Sequence, residues 1–371
     1  MLTPPSIPLL DLTAQYQTIK PEIDRAVRRV IESGRFILGA EVAALEEEVA
    51  AYSGVRHAVG VASGTDALIL ALRALQIGPG DEVILPAYTF FATAGAVLNV
   101  GATPLLVDID PHTYCLDIHQ VETRITPKTK AVIPVHLYGH PADMDPLLEL
   151  AQAHGLKVIE DNAQALGAAY QGQKTGGFGH IACLSFFPSK NLGAYGDGGM
   201  LLTSDPALVE TVRMLRAHGW KQKYFPEILG YNSRLDSLQA AILRAKLPHL
   251  DDWNDRRRQL ARRYNQALAG LPGLTGPYEA PGAQHVYHLY ILRLSERDRI
   301  QKELKAAGIA SAVYYPQPLH LSKPLSALGY KPGDFPISEQ ASRETLAIPI
   351  FPELSDGQVQ HILTTLKSSL A

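Results

Sequence analysis

Cysteine is nearly absent: Cys115 and Cys183 are the only two among 371 residues. They form neither a CxxC pair nor a zinc spacing, which excludes a disulfide framework and a cysteine metal site. A core held by packing alone, suited to a reducing cytoplasm, is expected. Charge of one sign is also lacking, since 34 Lys and Arg oppose 37 Asp and Glu for a formal net charge of -3. A chain whose main partner is nucleic acid normally carries a basic surplus, so no nucleic-acid partner is expected. No apolar run approaches the roughly 20 residues of a bilayer span, so no membrane partner is expected either. Met1 to Leu10 holds three prolines and no basic residue, unlike a signal peptide. What is there, 46% hydrophobic and 19% charged residues, is the balance of a globular protein.

Between Val55 and Asp205 short β-rich runs alternate with helical ones. Strands are predicted at 58–62, 82–85, 104–107, 131–135, 157–160, 181–186 and 199–203, with helices at 66–75 and 146–154 between them. Several of the runs are continuously apolar, as in strands buried on both faces of a mostly parallel sheet. The alternation predicts an α/β class. Before it, 20–33 and 41–52 read as helices. After it, 236–269 is a long charged helical stretch, 286–293 alternates like a strand, and 296–307 is helical. The expected division is a large α/β domain over 1–250 and a smaller α+β domain over 251–371.

Ligands of open α/β sheets sit beyond the carboxyl ends of the strands. There the sequence places Ser63, Gly64 and Thr65 opening a helix, which suits a phosphate or is an ordinary N-cap. Aromatic rings, Phe90 among them, follow the second strand, and the pair Glu160-Asp161 ends the fifth, where an acid is hard to bury without a partner or serves as a helix N-cap. Ser185, Ser189 and Lys190 end the sixth, before glycines 193, 196, 198 and 199. Lys190 is either a surface residue or a Schiff-base lysine kept partly deprotonated by desolvation. Together they meet the needs of pyridoxal 5'-phosphate: a phosphate anchor, a ring stack, a partner for the pyridinium nitrogen and an amine for the aldehyde. A carboxylate about 4 Å from that nitrogen, at an effective dielectric of about 20, contributes roughly 4 kcal/mol toward its protonation, about three pKa units.

The chain resembles the DegT/DnrJ/EryC1/StrS family of nucleotide-sugar aminotransferases, of the fold-type I architecture, from about Pro8 to the C-terminus. The resemblance rests on Gly34-Arg-Phe-Ile-Leu-Gly39, Ser63-Gly-Thr-Asp-Ala67, Glu160-Asp-Asn-Ala-Gln164, Ser185-Phe-Phe-Pro-Ser-Lys190, Gly196-Asp-Gly-Gly199 and Gly230-Tyr-Asn-Ser-Arg234. It implies a seven-stranded, mostly parallel central sheet with a smaller C-terminal domain. It also implies that Lys190 bonds the cofactor and moves the proton, that Asp161 pairs with the ring nitrogen, and that Gln164 lies near the ring hydroxyl. Phe90 would stack on the ring, with Ser63, Gly64, Thr65 and Ser185 at the phosphate. Asn232 would serve the cofactor of a second subunit, giving a homodimer with shared sites. Gly34, Phe36, Ser189, Lys221, Arg234, Tyr314, Tyr315 and His320 would meet the nucleotide sugar. Family members commonly have histidine where Tyr314 stands, and a small residue where Asn162 stands. The implied reaction is amination at C3 of a dTDP-3-keto-6-deoxyhexose with glutamate as donor. A UDP-linked 3-keto uronic acid, needing an extra cation such as Lys221, and a non-catalytic regulator are the alternatives. A dehydratase on this scaffold has histidine in place of Lys190.

Three further signals point nowhere. Gly177-Phe-Gly-His-Ile-Ala182 fits a dinucleotide fingerprint but precedes a strand instead of following one. The pairs His136/His140 and His285/His288 lack the further ligands a metal needs. The basic run Arg256 to Arg258 reads as a solvated helix face.

Overall fold

The computed structural model describes residues 6–370. The first part of the proline-rich segment, Met1 to Pro5, and the outer bounds of the two expected domains lie outside the described residues.

Seven strands form the central sheet: β1 (His57–Val61), β2 (Glu82–Pro86), β3 (Thr103–Val107), β4 (Thr129–Val132), β5 (Lys157–Asp161), β6 (Ile181–Ser185) and β7 (Gly199–Thr203). Their order is β1-β7-β6-β5-β4-β2-β3. Only β7 runs against the others, pairing antiparallel with both β1 and β6. The continuous apolar runs are explained by cover on both faces. Val59, Val61, Val83, Leu85 and Cys183 pack into one core with the helices after β1 and β2, α3 (Gly64–Ala74) and α4 (Ala92–Asn99). Their alternates Ala58, Ala182, Leu184, Met200 and Leu202 face a second core, which includes Leu45 and Val49 of α2 (Ala40–Ser53). The first helix, α1 (Leu12–Ser33), starts earlier than its apolar pattern suggested, because the Asp11 side chain caps it by accepting from the Ala14 N–H.

A separate antiparallel sheet joins Leu274–Thr275, Tyr290–Leu294 and Thr345–Ile348. Its core draws on the helix Leu250–Leu268 and the C-terminal helix Asp356–Leu370, and it also takes in Ile7, whose backbone bridges Ile309. Three sequence expectations shift. The stretch 236–269 is two helices, Ser237–Lys246 and Leu250–Leu268, broken by the turn Leu247–His249 around Pro248, which has no N–H to continue the first. The fourth strand stops at Val132, just before Pro134. The run 286–293 becomes strand only from Tyr290. Before that, Val286 and Leu289 donate to the carbonyls of Gly139 and Tyr138, which turns His288 and Leu289 toward a cavity at the sheet edge.

Candidate active site

That cavity, of about 540 Å³, lies at the carboxyl ends of β1, β5 and β6. At its β1 side the chain passes through Ser63, Gly64 and Thr65 into α3. The Ser63 hydroxyl caps the helix by accepting from the Asp66 N–H at 3.1 Å. Phosphate cup and N-cap are therefore compatible readings. The fit is close: a Cβ on Gly64 would sit 2.7 Å from the Ser185 Cβ, and one on Gly199 would sit 2.3 Å from the Ser63 carbonyl. Glycine at both positions lets β1, β6 and β7 converge and leaves the helix N-terminus open to an anion.

Glu160 and Asp161, adjacent at the end of β5, face opposite ways. Asp161 lines the cavity. Its Oδ2 accepts from the Thr93 hydroxyl at 2.8 Å and its Oδ1 from the Ala163 N–H at 3.2 Å. Burial raises its pKa, and these donors together with Lys190 pull against that rise. Glu160 faces the interior. It accepts from the N–H groups of Gly176, Phe178 and Gly179 at 2.7, 2.8 and 2.7 Å, and its Oε2 lies 3.0 Å from His136 Nε2. Burial would raise its pKa too, but the bonds from His136, Gly179 and Gly176 outweigh it and hold the carboxyl below its usual value. Phe178 and Gly179 of the fingerprint-like stretch, with Gly176 just before it, thus cradle an anion, and that anion is the protein's own carboxylate. Asn162 is buried and answered on both sides, its amide donating to the Thr175 carbonyl at 3.1 Å and its oxygen accepting from the Thr175 hydroxyl at 2.9 Å.

Lys190 also lines the cavity, and its amine has no hydrogen-bond or ion-pair partner among the described residues. Desolvation lowers its pKa from 10.5 to about 8 despite the opposing pull of Asp161. A measurable fraction is then the neutral, nucleophilic amine near neutral pH. The next residue, Asn191, ties this loop to the helix Leu250–Leu268 and to the segment before Tyr290. Its amide donates to Asn254 Oδ1 at 2.7 Å and to the Val286 carbonyl at 3.1 Å, which leaves Oδ1 to accept from His288 Nδ1 at 3.3 Å. Burial, with Lys190 and Arg257 nearby, drives His288 well below its usual pKa and keeps it neutral.

The opposite wall is built from tyrosines. Tyr88 accepts from the Tyr315 N–H at 2.7 Å and bonds the Tyr314 carbonyl at 2.8 Å, and the Tyr138 hydroxyl donates to that same carbonyl. Gln164 accepts from the Tyr138 N–H at 2.7 Å and donates to the Tyr315 hydroxyl at 2.9 Å. Phe90, 56% exposed, lies 5.9 Å from the Tyr315 ring, so this aromatic pair edges an open pocket.

The structure therefore gathers Ser63, Gly64, Thr65, Phe90, Asp161, Gln164, Ser185, Ser189, Lys190, Tyr314 and Tyr315 in one cavity. It leaves the other sequence candidates elsewhere in the chain. Gly34 and Phe36 line a shallow depression beside α2, while Asn232 is exposed and Arg234 half-buried outside the cavity. Lys221, in the first strand of the hairpin Trp220–Gln222/Phe225–Pro226, pairs with Glu210 of the helix Pro206–Leu215 at 2.6 Å. His320 is buried, with Nε2 3.1 Å from Glu339 and its ring edge against Phe335. A substrate contact is not available to it there. Sequence reasoning missed Thr93, Tyr88, His288 and Arg257, whose partners are remote in sequence. Arg257 is buried, not solvated: it donates to the Ile350 and Tyr287 carbonyls at 2.6 and 3.2 Å and lines the cavity. His136 and His140 are engaged structurally, and no group of three or more potential metal ligands occurs among the described residues.

Sheet and cavity define a class, the fold-type I enzymes that use pyridoxal phosphate. The donor set fits the group: a helix terminus with two serine hydroxyls and a threonine, an aromatic at the rim, a buried carboxylate and an unpartnered amine. The sequence profile of the DegT/DnrJ/EryC1/StrS aminotransferase family matches residues 17–367, and the chain belongs to that family. Among curated relatives, a "pleiotropic regulatory protein" of Geobacillus stearothermophilus is 52% identical over 96% of this chain and 97% of its own. A UDP-N-acetyl-3-dehydro-alpha-D-glucosamine 3-aminotransferase of Acidithiobacillus ferrooxidans is 52% identical over 98% of both. A dTDP-3-amino-3,4,6-trideoxy-alpha-D-glucose transaminase of Streptomyces venezuelae is 49% identical over 98% and 96%. Among solved structures, S. venezuelae DesV in complex with a ketimine intermediate superposes with a TM-score of 0.96 at 49% identity, covering 98% of both chains. NtdA of Bacillus subtilis with bound cofactor PMP superposes at 0.92 with 33% identity, over 98% of this chain and 85% of its own. The protein is a pyridoxal-phosphate-dependent aminotransferase.

Proposed function

We propose that the protein aminates C3 of a nucleotide-linked 3-keto sugar, with a dTDP-3-keto-6-deoxyhexose as acceptor and glutamate as donor. The observation that carries this is the unpartnered amine of Lys190, in a cavity shared with buried Asp161 at the N-terminus of α3. The bound cofactor supplies an aldehyde that carries nitrogen and a ring that withdraws electrons. Lys190 holds it through Nζ and, once freed, takes a proton and returns it at that atom; a pKa of about 8 suits both tasks near neutral pH. Asp161 supplies the negative charge for the ring nitrogen. Ser63, Gly64, Thr65 and Ser185 hold the phosphate with helix N–H groups and hydroxyls. Phe90 covers the ring and excludes water, and Gln164, fixed between Tyr138 and Tyr315, orients the ring hydroxyl.

Ser189, Tyr314 and Tyr315 meet the sugar from within the cavity. Gly34, Phe36, Lys221, Asn232 and Arg234 lie outside it, on segments whose exposed apolar groups include Phe36, Ile37, Tyr224, Phe225 and Leu229. A homodimer that lays these segments at its partner's cavity accounts for both facts, with Asn232 at the partner's cofactor phosphate. A cytoplasmic location suits two buried free cysteines, and among the described residues no helix is long and apolar enough to cross a membrane.

The dTDP reading is supported by the resemblance of Gly219-Trp220-Lys221 and Gly230-Tyr231-Asn232 to the dTDP-sugar 3-aminotransferases and by the name of the S. venezuelae relative. A UDP-linked 3-keto N-acetylhexosamine is the second reading, favoured by the A. ferrooxidans relative. A uronic acid is less suited, because Lys221, its candidate counter-ion, is engaged by Glu210. The test is kcat/KM for a dTDP-3-keto-6-deoxyhexose against both UDP-linked 3-keto sugars and a 4-keto isomer, with glutamate as donor. The dTDP substrate should lead. A tenfold preference for any competitor, about 1.4 kcal/mol in transition-state binding, overturns the choice of sugar.

A further inference from the structure

We propose that Thr93 is a positioning residue for transamination, acting through Asp161: its hydroxyl fixes the carboxylate that serves the cofactor's ring nitrogen. The inference rests on the role given to Asp161 above and adds to it the group on which that role depends.

Thr93 is fully buried in the first turn of α4, three residues after Phe90. A threonine inside a helix commonly returns its proton to the carbonyl one turn back. Thr93 instead directs Oγ1 at Asp161 Oδ2, 2.8 Å away and 68 residues on in sequence. The Thr89 hydroxyl lies 3.4 Å behind it, close enough to donate weakly and leave the Thr93 proton to the carboxylate. With the Ala163 N–H on Oδ1, both carboxylate oxygens are held and the group cannot rotate freely.

A donor aimed at a carboxylate favours the ionised form, because an ionised carboxylate only accepts and a proton on Oδ2 would have to be displaced elsewhere. At Asp161 this matters, because burial raises its pKa and Thr93 gives the strongest opposing contribution. The other titratable groups facing Asp161 are Lys190 from the loop after β6, His136 beyond β4, Cys183, its register partner on β6, and Tyr315. Of these, Cys183 and Tyr315 are themselves raised by burial and are neutral near pH 7. Thr93 is therefore the fixed dipole that favours the charged form of a buried acid, and the hydroxyl, not the bulk of the side chain, carries the effect.

The experiment compares Thr93→Val, which keeps shape and removes the hydroxyl, with Thr93→Ser, which keeps the hydroxyl, and with Asp161→Asn. Three quantities are read: the rate of the first half-reaction with glutamate, the dissociation constant of pyridoxal phosphate between pH 5 and 8, and the melting temperature of cofactor-free protein. Thr93→Val should slow the half-reaction about ten- to hundredfold, the span of one hydrogen bond to an ionised group. It should also move the acid limb of cofactor affinity to higher pH, with little change in melting temperature. Thr93→Ser should restore rate and pH profile. If valine is not tolerated, Thr93→Ala against Thr93→Ser isolates the hydroxyl, since both lack the methyl. Equal rates and pH profiles with and without the hydroxyl, while Asp161→Asn is slow, overturn the role of Thr93 and leave that of Asp161. An Asp161→Asn enzyme as fast as wild type overturns the role of Asp161 itself.

Discussion

Replacing Glu160 with glutamine asks how much of the site's support depends on one buried negative charge. The carboxylate receives three backbone N–H bonds, from Gly176, Phe178 and Gly179, and one from His136. His136 is fixed in one tautomer. Its Nδ1 accepts from the Ala142 N–H at 2.9 Å, so the ring proton is on Nε2 and points at Glu160. A glutamine carbonyl can still receive Phe178 and Gly179. Its amide nitrogen must then face the Gly176 N–H and the His136 N–H, donor against donor. Moving the histidine proton to Nδ1 only transfers the conflict to Ala142. Two bonds to a charged acceptor are lost, each about 1.5–3 kcal/mol, and removing a buried charge returns part of that, so a net cost of about 3 kcal/mol is expected. At about 2.1 cal/mol/K per residue, a chain of this length has an unfolding entropy near 0.8 kcal/mol/K. The melting temperature of cofactor-free protein should therefore fall by about 4 °C in a thermal scan. Exposed Glu149→Gln, at a position that shares none of these contacts, should stay near wild type. A Glu160→Gln protein that melts as wild type does would show that the cradle tolerates an amide and that the donor argument is wrong.

Mixing Lys190→Ala with Asn232→Ala chains should regenerate activity that neither homodimer has, because one site of each hybrid pairs a wild-type Lys190 with the partner's wild-type Asn232. Hybrids shown to form by differential tagging but remaining inactive would refute shared sites. Acid should weaken the fold through buried histidines. Burial lowers His140 to about 4, so between pH 6.5 and 4 the unfolded chain binds the proton and the folded one does not. Stability is then full above pH 6.5 and falls as the pH drops, by about 3 kcal/mol at pH 4 from this residue alone. Urea midpoints that stay level from pH 7 to 5 would refute it.

The sheet and the centre of the site were legible because both follow from local order. Strands covered on two faces read as unbroken apolar runs, and a residue at a strand's carboxyl end reaches the ligand edge wherever the strand sits. This is why Lys190, the Glu160-Asp161 pair and the Ser63–Thr65 turn could be placed at that edge without coordinates. Adjacent residues of a strand diverge, however, and nothing local distinguishes Asp161, which faces the cavity, from Glu160, which faces the glycine cradle. The same limit applies to helices. The run Arg256 to Arg258 looks uniformly solvated, but each helical step turns about 100°. Arg257 alone enters the interior to meet the carbonyls of Tyr287 and Ile350. Lys221 and His320 show a further limit: both sit in suggestive local sequence, and within this chain they pair with Glu210 and Glu339, partners that the local sequence does not reveal. Thr93 was silent for a related reason. A hydroxyl in a first helical turn is ordinary until its acceptor is known, and here the acceptor arrives 68 residues later on another strand. Residues that touch a ligand recur in short motifs at strand ends, whereas those that set their charge and orientation are supplied by whichever elements the fold packs beside them. The second group becomes visible only when tertiary hydrogen bonds can be followed.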